Sequence, residues 1–209
     1  MNINELKEKL GIYKELENKM FFGRDSDNKI CIMNENDKWI VFYYERGSRC
    51  AVKEFNDEGS ACEYYYIKLN KIRIREEMKS KKNDYILNYN FLNKEIDLKI
   101  YFDVFDNEEI TILQKRTFHQ FMDNIKKIFI KSYHALKDYC NKNYNIELDD
   151  TNFYKYIVPK QIYIKRESKD KEYCKFAILC NFKEDIENGL AIVWVNNEIE
   201  EIGMQDIIL

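Results

Sequence analysis

Acid–base or metal chemistry in this chain would have to start from its two histidines. His119 and His134 fall in one apolar-periodic stretch, and fifteen residues at the helical rise set them about 22 Å apart. On a continuous helix they cannot share a metal ion or one active site. Cys31, Cys50, Cys62, Cys140, Cys174 and Cys180 contain no C-x-x-C pair, so the usual zinc spacing is missing. Cys174 and Cys180, placed on one strand, would stand roughly 20 Å apart, beyond disulfide reach. All six read as reduced, small hydrophobes. Asp149 and Asp150 could hold a cation, but a carboxylate pair beside Thr151 reads first as a cap for a helix over 151–156. No P-loop, dinucleotide glycine fingerprint, G-x-S-x-G elbow or H-E-x-x-H occurs. No catalytic residue, metal ligand, metal or organic cofactor is therefore assigned.

Two surfaces remain that could bind a partner. Glu184, Asp185, Glu187, Glu198, Glu200 and Glu201 lie within 18 residues. As one acidic C-terminal edge they would steer toward a basic partner; as a solvated hairpin they would keep a sheet edge from pairing. The aromatic run Trp39-Ile40-Val41-Phe42-Tyr43-Tyr44 could stack bases on a sheet face, but reads as core on both sides of a strand. Its outward tyrosines, Tyr43 among them, and Arg46 at the following turn are candidates for a protein interface, where Tyr and Arg are over-represented.

Lys plus Arg total 34 and Asp plus Glu 37, for a net charge of −3. Residues 1–80 carry 15 basic and 15 acidic side chains, and the remainder 19 and 22. Neither half has the basic excess of a nucleic-acid binder. The run Lys68, Lys71, Arg73, Arg75, Lys79, Lys81 and Lys82 reads as a solvated helix end that complements the helix dipole. The N-terminal residues carry charges where a secretory signal needs an apolar run, and no stretch of 18 apolar residues occurs. The expectation is a cytosolic protein with no membrane span.

These residues must be positioned by elements legible in the pattern. With 45% hydrophobic and 34% charged residues, the 209-residue chain can build a core, as one large domain or two small ones. Apolar residues at three- and four-residue spacing predict a helix over 3–19, capped by Asn2. Strands follow over 28–33, 38–45 and 49–55, joined by short turns as an antiparallel meander, then a helix to about residue 78. Residues 79–84 read as a linker. Beyond it come strands at 85–91 and 95–104, a long helix at about 114–143, and strands at 161–167, 173–181, 190–195 and 198–203. The predicted class is α+β. One module (1–78) is α-β-β-β-α; the other (85–209) is a mainly antiparallel sheet packed on the long helix.

Residues 39–65, Trp-Ile-Val-Phe-Tyr-Tyr-Glu-Arg-Gly-Ser-Arg-Cys-Ala-Val-Lys-Glu-Phe-Asn-Asp-Glu-Gly-Ser-Ala-Cys-Glu-Tyr-Tyr, resemble the small immunity-protein domains of bacterial polymorphic toxin and contact-dependent inhibition systems. Their pattern is W-x-V-Y-Y-x-E-R-G followed by F-x-x-E-x-x-A-C-x-Y. Residues 182–206 are similar to uncharacterised domains encoded near toxin genes, with Phe182, Asn188, Ala191 and Asn197 standing where that pattern has Trp, His, Gly and Gly. The resemblance implies a two-domain immunity protein that binds a cognate toxin domain in the cytosol and blocks it. An acidic surface would suit a basic toxin such as a nuclease, with no direct contact to nucleic acid or membrane. The alternatives are a small hydrolase with a site built from loops, and a regulatory adaptor.

Overall fold

Four two-residue turns, Asn36-Asp37, Arg46-Gly47, Leu92-Asn93 and Asn196-Asn197, hold both central residues at positive φ. That backbone follows the twist of the strands it joins, so each turn closes a tight antiparallel hairpin. The computed structural model describes residues 1–11, 13, 16–77, 84–105, 108–167 and 175–208. Within them the chain is α+β and divides into two units, Met1–Glu77 and Met78–Leu209.

In the first unit, α1 (Ile3–Gly11) starts on a reciprocal cap: Asn2 Oδ1 accepts from the Asn4 and Glu5 N–H groups, and Asn2 N–H donates to Glu5. It ends at Gly11, well short of residue 19. The strands β1 (Met20–Phe22), β2 (Lys29–Glu35), β3 (Lys38–Glu45) and β4 (Ser48–Phe55) pair in chain order. The three expected strands form the antiparallel meander β2-β3-β4, and β1, three residues long and too short to show a period of two, adds an unexpected parallel edge strand beside β2. Helix α2 (Glu58–Glu77) covers one sheet face, where Ala61, Tyr65 and Leu69 meet Ile32 and Val41. The Tyr65 hydroxyl, on a fully buried ring, accepts from Phe21 N–H at 2.9 Å and donates to the Ile30 carbonyl at 2.9 Å. It therefore ties α2 to both strands of the parallel pair. Burial pushes its pKa well above the usual tyrosine range. On the opposite face Cys31, Ile40 and Phe42 are buried, and Arg49 stacks over Phe42 while pairing with Asp25 and Glu35. The basic run on α2 is not wholly solvated. Arg73 is buried, lies over Tyr13 and pairs with Glu77. Lys79, Lys81, Lys82 and most of the expected linker lie outside the described residues.

The second unit orders six strands as β10-β9-β8-β7-β6-β5: β5 (Asp84–Phe91), β6 (Lys94–Phe102), β7 (Ile157–Ile164), β8 (Phe176–Phe182), β9 (Asp185–Val195) and β10 (Glu198–Gly203). All neighbours are antiparallel except β6 and β7. A parallel pair needs a crossover, here α3 (Ile112–Tyr144) and the single turn α4 (Phe153–Tyr156). The apolar stripe of α3, from Phe118 through Phe129 to Cys140, is buried, and Trp194 of β9 donates to Ser132 at 3.2 Å beneath it. Gln114, fully buried, completes a capping box with Thr111 and donates to the carbonyls of Asp103 and Ile164, which end β6 and β7. The other face carries Tyr163, Ala177, Ala191 and Val193 against Ile207 and Ile208.

Two strand starts depart from the pattern. β7 begins at Ile157, four residues before 161, because Pro159 sits where β7 has a bulge toward β8 and pairing with β6 begins only at Gln161. A missing N–H is tolerated there. β9 begins at Asp185 rather than 190, because a bulge absorbs the polar residues before Leu190. Cys174 and the first residues of the strand expected at 173 lie outside the described residues. Of the described cysteines, Cys31, Cys62, Cys140 and Cys180 are buried and free, as small hydrophobes should be, whereas Cys50 is exposed.

Replacing Gln114 by Leu removes the reciprocal half of the capping box and the donor to the Asp103 carbonyl, while Thr111 still accepts from the N–H of residue 114 and Ile164 still accepts from Asp103 N–H. Unsatisfied buried groups and lost caps each cost on the order of 1–2 kcal/mol. Urea denaturation should show Gln114→Leu destabilised by about 1–2 kcal/mol; a loss under about 0.5 kcal/mol would show that the seam is held elsewhere.

Candidate functional site: a lysine-rimmed groove in the first unit

Helix α2 does not cover its sheet face completely. Tyr64, Lys68 and Ile72 recur at intervals of four, so they share one helix face. They overhang the face at the end nearest the β3–β4 turn. Between them and the sheet lies a groove of about 300 Å³, floored by Ile30 and Val41 and lined by Tyr43. Lys19 and Asn28 close its other side. Lys68 stands 5.3 Å and Lys53 4.7 Å from the centre of the Tyr64 ring, so two ammonium groups flank one aromatic ring. Among the described residues no carboxylate lines the groove. Lys19 and Lys68 form no ion pair among the described residues.

The wall at β4 is built by a bulge. Val41 pairs with Lys53 and Tyr43 with Cys50, leaving Ala51 and Val52 opposite Phe42. Ala51 takes the left-handed conformation, φ 51°, to make that bulge. A Cβ there costs roughly 1 kcal/mol. The bulge turns an exposed edge strand away from regular pairing and sets Ala51 beside Tyr43 at the groove.

The residues singled out by pattern are placed as follows. Tyr43 lines the groove, with its hydroxyl 3.5 Å from Asn28 Oδ1. Arg46 stands at the β3–β4 turn with its side chain 91% exposed beside Glu45. The six carboxylates are divided between the ends of β9. Asp185 and Glu187 lie near its start, next to Glu184, and Glu198 pairs opposite Val195 at its end. Eight residues of strand separate Glu187 from that end, roughly 26 Å. Two carboxylates are already neutralised: Glu198 pairs with Lys131 of α3, which holds its carboxyl below the usual range, and Glu200 pairs with Lys175. Asp185 accepts from Asn188 and shapes the local turn.

Gly189 is required by close approach: at φ 60°, a Cβ would fall 2.3 Å from Gln205 Nε2, which donates to the Cys180 carbonyl. Asp149 accepts from Thr151 and Asn152, which holds its carboxyl below the usual range, and Asp150 accepts from Tyr133. Asp149 thus shapes the turn that precedes Phe153–Tyr156, whereas the helix itself starts at Asn152 with no side-chain cap, which corrects the expected cap over 151–156. His119 and His134 sit on one continuous helix. Among the described residues no group of three or more His, Cys, Asp or Glu is placed to hold a metal ion, and no helix is long and apolar enough to cross a membrane.

The sequence pattern puts Tyr64 and Ile72 on an apolar stripe of the helix ending near residue 78 and reads Lys68 as solvated. Their spacing of four was visible; the gap they overhang was not, because it depends on the bulge at Ala51. A family model described as "Domain of unknown function (DUF6985)" matches residues 69–209. The chain belongs to the DUF6985 family. The match takes in the second unit and the end of α2, so among the groove residues only Ile72 lies inside it. No curated protein and no solved structure matches the chain.

Glycine at position 51 would remove the Cβ strain of the bulge. Ala51→Gly should therefore leave stability unchanged or raise it by up to about 1 kcal/mol, against the loss expected for glycine in an ordinary strand. Thermal denaturation decides: a variant destabilised by more than about 0.5 kcal/mol means the bulge is not strained.

Proposed function

We propose that this DUF6985 protein is an immunity protein, which binds a cognate toxin domain in the cytosol and blocks it. The reading is carried by one coincidence. The stretch that resembles small immunity domains, residues 39–65, folds as β3, β4 and the start of α2, the elements that frame the groove. It supplies Tyr43 to the groove and Arg46 to the neighbouring turn. A tyrosine-lined concavity beside an exposed arginine is the composition of an interface centre. In the second unit, carboxylates at both ends of β9 offer a further contact for a basic toxin such as a nuclease, with Glu184, Glu187 and Glu201 as the candidates to meet it.

Inhibition by binding requires a stable complex rather than turnover. Co-expression with the toxin domain encoded beside this gene should restore growth, and the two chains should co-purify in a fixed ratio. A folded chain that neither rescues nor co-purifies, or a gene with no toxin domain beside it, would contradict the reading.

A further inference from the structure

We infer that the groove of the first unit takes an acidic segment of the protein partner, seating an apolar side chain between carboxylates. This rests on the binding reading and names the chemistry of what binds. The floor offers Ile30 and Val41, and the overhang Ile72, to an apolar group. At about 300 Å³ the space lies at the small end of ligand pockets and suits one or two side chains. Lys19 and Lys68 line the rim, Lys53 adds a third ammonium beside Tyr64, and no carboxylate lines it among the described residues. A chain with net charge −3 thus presents a groove whose charged lining among the described residues is lysine, and ammonium groups gathered around an apolar floor are relieved by an incoming anion. Asn28 and Tyr43 add a side-chain amide and a hydroxyl that can bond a backbone or carboxylate. Two lysines lining one small groove in a unit of balanced charge are too few for a nucleic-acid track.

The probe is the amidated peptide Ac-Glu-Asp-Phe-Leu-Asp-Glu-NH2, titrated into the full-length, isotopically labelled chain, with the Gln/Asn counterpart as the neutral arm and a ten-nucleotide single-stranded RNA as a third. The acidic peptide should shift the amide signals of Tyr43, Ala51, Tyr64 and Lys68 and saturate. The neutral peptide should bind at least about tenfold more weakly, since charge-assisted contacts are lost. Lys19→Glu/Lys68→Glu should abolish the shifts; if that variant does not fold, Lys19→Gln/Lys68→Gln takes its place and should weaken binding similarly. No saturable shift, equal binding of both peptides, unchanged binding by a folded variant, or tighter binding of the RNA overturns the inference. The cognate toxin domain separates this from the functional reading. If it binds wild type and the folded variant equally, the groove is wrong and inhibition stands. If it does not bind wild type while the acidic peptide saturates, inhibition is wrong and the groove stands.

Discussion

Each sheet of this chain contains one parallel pair, and at each a helix puts a buried polar side chain onto the backbone of both strands. In the first unit it is the Tyr65 hydroxyl, bonded to Phe21 of β1 and Ile30 of β2. In the second it is the Gln114 amide, bonded to the carbonyls of Asp103 and Ile164 where β6 and β7 end. Parallel neighbours cannot be joined by a tight turn, so their register depends on elements packed above them. Buried polar groups also bind only where partners are available. The two contacts therefore fix where α2 and α3 lie, and everything on those helices is positioned from there.

The groove follows from the first of these contacts. With Tyr65 held over β1 and β2, the positions at 64, 68 and 72 come round toward β3 and β4 rather than over the core centre. The bulge at Ala51 breaks the regular pairing of β3 with β4 there, and the space between helix and sheet stays open. Its rim is cationic because Lys68 of α2 and Lys19 line it and Lys53 of β4 stands beside Tyr64. The surface best suited to binding is thus a by-product of how one tyrosine is satisfied.

Much of the fold was legible in the residues. The run Lys38–Glu45 has the density of aromatic and β-branched residues that only a strand accommodates, and its bounds are those observed. The stripe from Phe118 to Cys140 repeats often enough to fix the long helix and its buried face. What escaped was set by tertiary context. A three-residue strand has no period, Pro159 is harmless only because one neighbour is missing beside it, and Arg73 is buried only because Tyr13 and Glu77 receive it. The same holds for binding surfaces. The six carboxylates are neighbours in sequence, but an extended strand carries them apart and lysines take two of them. Tyr43 was legible as an outward tyrosine of β3; the groove it lines needed the left-handed alanine, a residue that gives no sign of such a conformation.

The central claim is that the partner docks on the first unit at this groove. Hydrogen–deuterium exchange of the full chain, free and in complex with its toxin domain, tests it directly, since amides covered by a partner exchange more slowly. The account predicts protection concentrated at residues 39–51 and 64–72. Protection confined to residues 184–201, or none in the first unit, would contradict it.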